Sequence, residues 1–128
     1  MNLPKKYTDY NIYKSTTYAF NGIRLAFLRE YNLGLQLIIG LVAAGISLYY
    51  TQWLFAFLNL VMMGVIISLE MMNTAFETLC DLVNLEFDHR IKTVKDIAAA
   101  SVLTSALVWL ILIVFEAVII MMQIGIVK

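Results

Sequence analysis

The chain has 128 residues, of which 62% are hydrophobic and only 14% are charged, and it contains a single proline. Soluble domains average about one quarter charged residues, so this composition predicts one domain, spanning residues 1–128, that is embedded in a membrane. The formal net charge is zero, which gives no reason to expect nucleic acid as a partner. The single cysteine, Cys80, excludes an intrachain disulfide and a Cys-x-x-Cys motif, and we expect a buried, inert thiol.

An amphipathic helix is predicted at the N-terminal side, over about residues 8–30, and no cleavable signal peptide is expected before it. Basic and polar side chains lie opposite its apolar face, as in helices that lie on a membrane surface. The apolar face consists of Ile12, Thr16, Ala19, Phe20, Ile23 and Phe27. Glu30 follows Ile12 by eighteen residues, or five turns. Its carboxylate should therefore point to the apolar side, unless it reaches water at the helix end.

Three membrane-spanning helices are predicted, over about residues 33–50, 53–82 and 96–124. Each holds an apolar stretch long enough to cross a hydrocarbon core about 30 Å thick. The first span carries small residues that predict close packing on a neighbour, namely Gly40, Ala43, Ala44 and Gly45.

A polar loop is predicted over residues 84–95, before the third span. Asp96 is then expected to begin that span, since a carboxylate is favourable at a helix N-terminus. Eight of the nine basic residues lie in this loop or before the first span, and only Lys128 lies on the other side. This distribution predicts a cytoplasmic N-terminus and an external C-terminus.

A polar stripe is predicted at the end of the second span, formed by Glu70, Asn73, Glu77 and Asp81 and called the acidic stripe below. On a helix, Glu77 and Asp81 lie within about 20° of Glu70, and Asn73 within about 60°. Acidic groups at a membrane are costly and usually have a partner, such as a cation, a proton or another protein. Glu70 lies about 25 Å along the helix from Trp53, which marks the outer interface. The stripe is therefore expected at the inner membrane surface.

The residues on that side supply the groups that phosphoryl transfer needs. Carboxylates bind Mg²⁺, a lysine neutralises phosphate oxygens, and a further carboxylate accepts the proton of an attacking hydroxyl. The sequence has no nucleotide-binding glycine-rich loop, so helix faces would have to bind the phosphates. A small carboxylate-dependent transporter and a structural membrane subunit are the alternatives. A transporter would place its acids near the middle of the bilayer, which the spacing does not do.

The stripe and the residues after it form a specific motif. The pattern Glu70-x-x-Asn73-Thr74-Ala75-x-Glu77-x-x-x-Asp81, followed by Glu86-Phe87 and Lys92-x-x-Lys95-Asp96-x-Ala98-Ala99, closely resembles the signature of the prokaryotic diacylglycerol kinase and undecaprenol kinase family. Residues 18–23 and the Glu30-x-Asn32 pattern also resemble the N-terminal helix of that family and its end. The resemblance extends over almost the whole chain.

The resemblance implies an all-α integral membrane protein with an amphipathic surface helix and three transmembrane helices. It implies a homotrimer whose active sites are shared between protomers, in the bacterial inner membrane. The implied reaction is transfer of the γ-phosphate of ATP, with Mg²⁺, to a membrane lipid alcohol at the cytoplasmic surface. Diacylglycerol and undecaprenol both remain open as the acceptor, because the shape of an apolar groove decides between them.

The resemblance also implies roles for individual residues. Glu70 matches the general base that acts on the lipid hydroxyl, Asn73 matches a residue beside the transferred phosphate, and Ala99 is expected to contact the lipid. Glu30 and Glu77 match the metal-binding carboxylates. The expected ATP contacts are Tyr18, Glu30, Glu77, Glu86, Phe87, Asp88, Lys95 and Asp96.

Three polar residues have other expected roles. Glu116, in the third span, is expected to pack in the bundle or to extend toward water at the membrane surface. His89 is expected to be an interfacial loop residue, because the chain has no second histidine to form a metal site. Asp81 either orients the site or ends the helix in water.

Overall fold

The computed structural model describes residues 11–83, 86 and 88–126, and over these residues the chain is all-α. Four helices follow one another in the chain: α1 Ile12–Arg29, α2 Tyr31–Tyr49, α3 Trp53–Val83 and α4 His89–Gln123. The last three are long and apolar enough to cross a membrane, which confirms the three predicted spans. With 31 residues, α3 is about 46 Å long, so its last turns extend beyond a hydrocarbon core about 30 Å thick.

The long helices form an antiparallel bundle in which α3 packs against both α2 and α4, while α1 contacts α2 and α3. At one end, Gln52 Nε2 in the α2–α3 turn donates to Gln123 Oε1 at the end of α4, at 2.9 Å. At the other end, Lys95 near the start of α4 contacts Asp81 near the end of α3. These are called the turn end and the acidic end below.

The start of α4 differs from the prediction, because α4 begins at His89 and not at Asp96. Asp88 is the N-cap: its Oδ1 accepts a hydrogen bond from the Arg90 backbone N–H at 2.7 Å. The Arg90 guanidinium also donates to Asp88 Oδ2 at 2.9 Å, and this bond lowers the pKa of Asp88. The polar loop predicted through Lys95 was therefore wrong. Its polar residues from His89 onward form the first turns of α4, and a satisfied N-cap lets a helix begin with charged residues.

Glu30 lies at a break between α1 and α2, with extended backbone angles of φ −110° and ψ 107°. The predicted helix end at about residue 30 agrees with the observed one, since Glu30 is the C-cap of α1 and its backbone N–H donates to Ala26 O at 2.9 Å. The Glu30 side chain is half-buried and makes no capping hydrogen bond to α2. It is therefore available to another partner.

Small residues bring α2 close to α3. Gly40, Ala44 and Ser47 are buried on one face of α2, and a Cβ added at Gly40 would lie 2.7 Å from Met63 Cβ. Gly45 has no neighbour within 4 Å of an added Cβ. The predicted small-residue face is confirmed for Gly40 and Ala44, whereas Gly45 is exposed on another side of α2 and packs on no other described residue of the chain.

The close contact at Gly40 leads to a prediction about stability. Gly40→Ala should lower the free energy of unfolding by about 1–3 kcal/mol, since the added methyl group must displace Met63. Gly45→Ala is the matched control, and it should be neutral or stabilising by up to about 1 kcal/mol because alanine favours helix. Unfolding by sodium dodecyl sulfate in mixed micelles, followed by circular dichroism, measures both. Equal stability of the two variants would contradict the close packing.

Candidate functional site

The acidic stripe lies on the last turns of α3, as predicted, and burial decreases along it. Glu70 is 6% exposed, Asn73 and Glu77 are half-buried, and Asp81 is exposed. The stripe thus leads from a buried carboxyl group inside the bundle to an exposed one at the acidic end. A reaction between a group in the membrane and a group in water could take place along it.

Glu70 is held from a neighbouring helix. Asn32 Nδ2, in the first turn of α2, donates to Glu70 Oε1 at 3.0 Å. Among the described residues, Asn32 is the one side chain that donates to this carboxyl group, and it donates to one oxygen. Asn32 belongs to the Glu30-x-Asn32 pattern of the sequence, but its contact with Glu70 was not predicted, since the two residues lie 38 positions apart on different helices.

Asn73 is paired on one side only. Its Nδ2 donates to Glu77 Oε1, one turn further along α3, at 3.1 Å. Its Oδ1 is buried and accepts no hydrogen bond from the described residues. A buried acceptor without a partner is costly, so a ligand that donates a hydrogen bond here would be favoured.

Lys95 and Asp96 are each in an ion pair at the acidic end. Lys95 Nζ lies 2.6 Å from Asp81 Oδ1 and joins α4 to α3. Asp96 contacts Lys92 on the preceding turn of α4. Asp81 is exposed near the end of α3 and also contacts Lys95, so the structure shows features of both alternatives for this residue.

The structure does not bring every predicted contact residue to the stripe. Tyr18 is 70% exposed on α1, and among the described residues no hydrogen bond joins it to the stripe. Ala99 is exposed on α4, one turn after Lys95, and Glu86 is also exposed. Asp88 is engaged as the N-cap of α4. The prediction for Phe87 lies outside the described residues.

Glu30 and Glu77 are the carboxylates that were predicted to hold a magnesium ion. Within residues 11–83, 86 and 88–126, no group of three or more His, Cys, Asp or Glu side chains is placed to hold a metal. Mg²⁺, however, usually keeps several waters and takes one or two carboxylates plus substrate phosphates. Glu30 and Glu77 are two half-buried carboxylates of the kind that such an ion takes.

A groove of about 460 Å³ lies between α1 and α3, beside the acidic stripe. Ala26 and Arg29 line it on α1, and Thr74 and Thr78 line it on α3. Its remaining lining residues are glycine and apolar side chains. The groove is thus largely apolar, with one basic and two hydroxyl side chains in its lining.

A buried polar cluster that the sequence did not predict lies toward the turn end. It consists of Ser47 and Asn59, both 0% exposed, with Trp109 and with Glu116, which is 4% exposed. Asn59 Nδ2 donates to Glu116 Oε2 at 2.8 Å, and Trp109 Nε1 donates to Asn59 Oδ1 at 2.8 Å. Ser47 Oγ contacts Glu116 Oε1.

Of the two alternatives for Glu116, packing inside the bundle is confirmed and extension to water is wrong, because Ser47 on α2 and Asn59 on α3 supply its hydrogen-bond partners. The sequence feature that could have predicted the cluster was Asn59, a polar residue six positions after the start of an uncharged span. Polar residues within membrane spans tend to pair with one another.

Comparison with known proteins adds to this geometry. The family model described as prokaryotic diacylglycerol kinase matches residues 17–123, which include most of α1 and all of the three long helices. A search of curated proteins gives no match. Because the family match covers most of the chain, the protein belongs to the prokaryotic diacylglycerol kinase family, a family of membrane-bound lipid kinases.

Proposed function

We propose that this protein transfers the γ-phosphate of ATP to the hydroxyl group of a membrane lipid alcohol, either diacylglycerol or undecaprenol. Membership of the family supports the lipid-kinase class. The main structural support for this reaction is the buried Glu70 carboxyl group, which accepts a hydrogen bond from Asn32 at the acidic end. A carboxylate there can meet a lipid hydroxyl, while the nucleotide stays on the water side.

In this proposal Glu70 accepts the proton of the lipid hydroxyl as that oxygen attacks the γ-phosphorus. The bond from the phosphorus to the bridging oxygen breaks, and ADP leaves. Asn73 is one turn away, beside the transferred group. Lys95 neutralises charge on the phosphate oxygens and exchanges its contact with Asp81 for one with phosphate.

Glu30 and Glu77 are the proposed ligands of Mg²⁺. When bound, the ion supplies positive charge to the phosphate oxygens of ATP. Both carboxylates also contribute to the ATP site, together with Tyr18, Glu86 and Asp96. The exposed side chains of these three residues support their proposed roles, because a soluble nucleotide can reach them.

The proposed lipid contacts are Glu70 and Ala99. The groove between α1 and α3 supports binding of a lipid as well, since its walls are largely apolar and Arg29 is one of the residues that line it. A guanidinium can pair with the phosphate of the product.

The proposed membrane arrangement places the acidic end in the cytoplasm of a bacterial cell. The basic residues at this end support that orientation. In α1, the apolar side chains of Ile12, Phe20 and Ile23 are exposed, which supports a helix that lies on the membrane surface. We propose a homotrimer with shared active sites as the assembly.

An assay with two lipids tests the proposal. Purified protein in mixed micelles is given labelled ATP and Mg²⁺, with diacylglycerol and undecaprenol in parallel reactions. We expect label in one or both lipids, and we expect EDTA to abolish the transfer because the phosphate charges are then not neutralised.

The lipid that is labelled identifies the acceptor. Absence of label in both lipids, with protein that is helical by circular dichroism, would overturn the proposal. Carboxylate-dependent cation flux across proteoliposomes without ATP would then support a transporter.

A further inference from the structure

We infer that Asn32 is a positioning residue for the reaction, which fixes the Glu70 carboxyl group toward the lipid hydroxyl. The inference rests on the proposed function and goes beyond it, since it gives a role to a residue that contacts the base rather than the reacting atoms. The observation that supports this role is the 3.0 Å hydrogen bond from Asn32 Nδ2 to Glu70 Oε1, which joins α2 to α3.

A glutamate side chain has several rotatable bonds, and its use as a base requires one orientation. Asn32 binds one carboxylate oxygen and leaves the other without a donor among the described side chains. The second oxygen can therefore accept the proton of the hydroxyl. Burial adds to this constraint, because a 6% exposed carboxyl group has little room for other rotamers.

The position of Asn32 is itself well fixed. The helix break at Glu30 begins α2, so Asn32 lies in its first turn. The next residue, Leu33, is 0% exposed and anchors that turn in the bundle. A single short segment thus carries a proposed metal ligand, Glu30, and the residue that orients the base.

The amide is the required group at position 32. Aspartate has nearly the same shape but no N–H to donate, and it would place a second carboxylate next to Glu70. Alanine removes the donor without adding charge. Both variants should leave Glu70 in place on α3 while releasing its carboxyl group.

We expect Asn32→Ala and Asn32→Asp to lower kcat for lipid phosphorylation by about 10- to 100-fold, as small displacements of a catalytic group do. The KM for ATP should stay near the wild-type value, since the nucleotide site is not touched. Asn11→Asp is the matched control. It makes the same substitution at the exposed N-cap of α1. Aspartate and asparagine are about equally favourable at an N-cap, so kcat should not change.

A double-variant cycle separates positioning from a merely structural role. Glu70→Asp shortens the base by one methylene and takes its carboxylate away from Asn32. If Asn32 acts through Glu70, adding Asn32→Ala to Glu70→Asp should cost little further kcat. A structural role would instead cost the same factor in both backgrounds.

The outcomes distinguish this inference from the proposed function. A wild-type protein that labels neither lipid overturns both. An active wild type with unchanged kcat in Asn32→Ala, or with equal losses in the two backgrounds, overturns the positioning role alone. If Asn32→Ala unfolds, the cycle is repeated with Asn32→Asp in the wild-type and Glu70→Asp backgrounds, and equal losses of kcat in the two backgrounds overturn the positioning role.

Discussion

Replacing Glu70 with glutamine is expected to lower kcat for lipid phosphorylation by about 10²- to 10⁴-fold, which is the usual contribution of a general base. Glutamine has the shape of glutamate, and its amide oxygen can still accept the hydrogen bond from Asn32. The packing of α2 on α3 should therefore survive. The amide cannot accept the proton of a hydroxyl group, so the chemical step alone is lost.

Glu116→Gln is the matched control for this experiment. It makes the same change at a second buried glutamate, away from the acidic stripe, and should retain the wild-type kcat. The rates are measured in mixed micelles, with the KM for ATP and the unfolding midpoint of each variant determined beside them. Turnover of Glu70→Gln at the wild-type rate would remove Glu70 as the base, even if the protein remains a lipid kinase.

The number and length of the membrane spans could be predicted from the sequence, because they depend on runs of apolar residues compared with the bilayer thickness. Helix ends were less predictable, because they depend on a few local hydrogen bonds. The bond from the Arg90 backbone to Asp88 begins α4 within a stretch whose charges suggested a loop. The break at Glu30, in contrast, was predicted from the end of the amphipathic pattern and the start of the uncharged span, although no glycine or proline occurs there.

The acidic stripe could also be predicted, because all four of its residues lie on one helix and helical geometry alone brings them together. The contacts from Asn32 to Glu70 and from Lys95 to Asp81 join different helices. Such contacts depend on which faces of two helices pack together and on how far one helix is shifted along the other. The spacing of residues within a single helix does not determine either of these. The family resemblance identified most of the candidate residues but not these pairs.

Replacing Glu116 with alanine is expected to cost more stability than most surface substitutions, by about 2–5 kcal/mol of unfolding free energy. The variant leaves a cavity in the bundle. It also removes one of the two hydrogen-bond partners of Asn59 Nδ2, the other being Ser47 Oγ, and one partner of Ser47 Oγ, and both residues are fully buried. In a membrane no water replaces these bonds easily.

Glu116→Gln should cost less than about 1.5 kcal/mol, because its shape is conserved and its polar atoms can be satisfied. In the wild type, the single Ser47 hydroxyl proton has two possible acceptors, Ala43 O and Glu116 Oε1. A glutamine at position 116 can donate to Ser47 Oγ, which leaves the hydroxyl proton for Ala43 O. Its amide oxygen can accept from Asn59 Nδ2.

Unfolding by sodium dodecyl sulfate in mixed micelles gives the free energies of Glu116→Ala, Asn59→Ala and the double variant. The cluster predicts that the double variant costs less than the two single variants combined, because they remove one shared hydrogen bond. The kcat per folded protein should stay unchanged in all three, since the cluster lies toward the turn end and away from Glu70. Strictly additive costs would show that Glu116 and Asn59 stabilise the bundle by packing alone, without energetic coupling through their hydrogen bond.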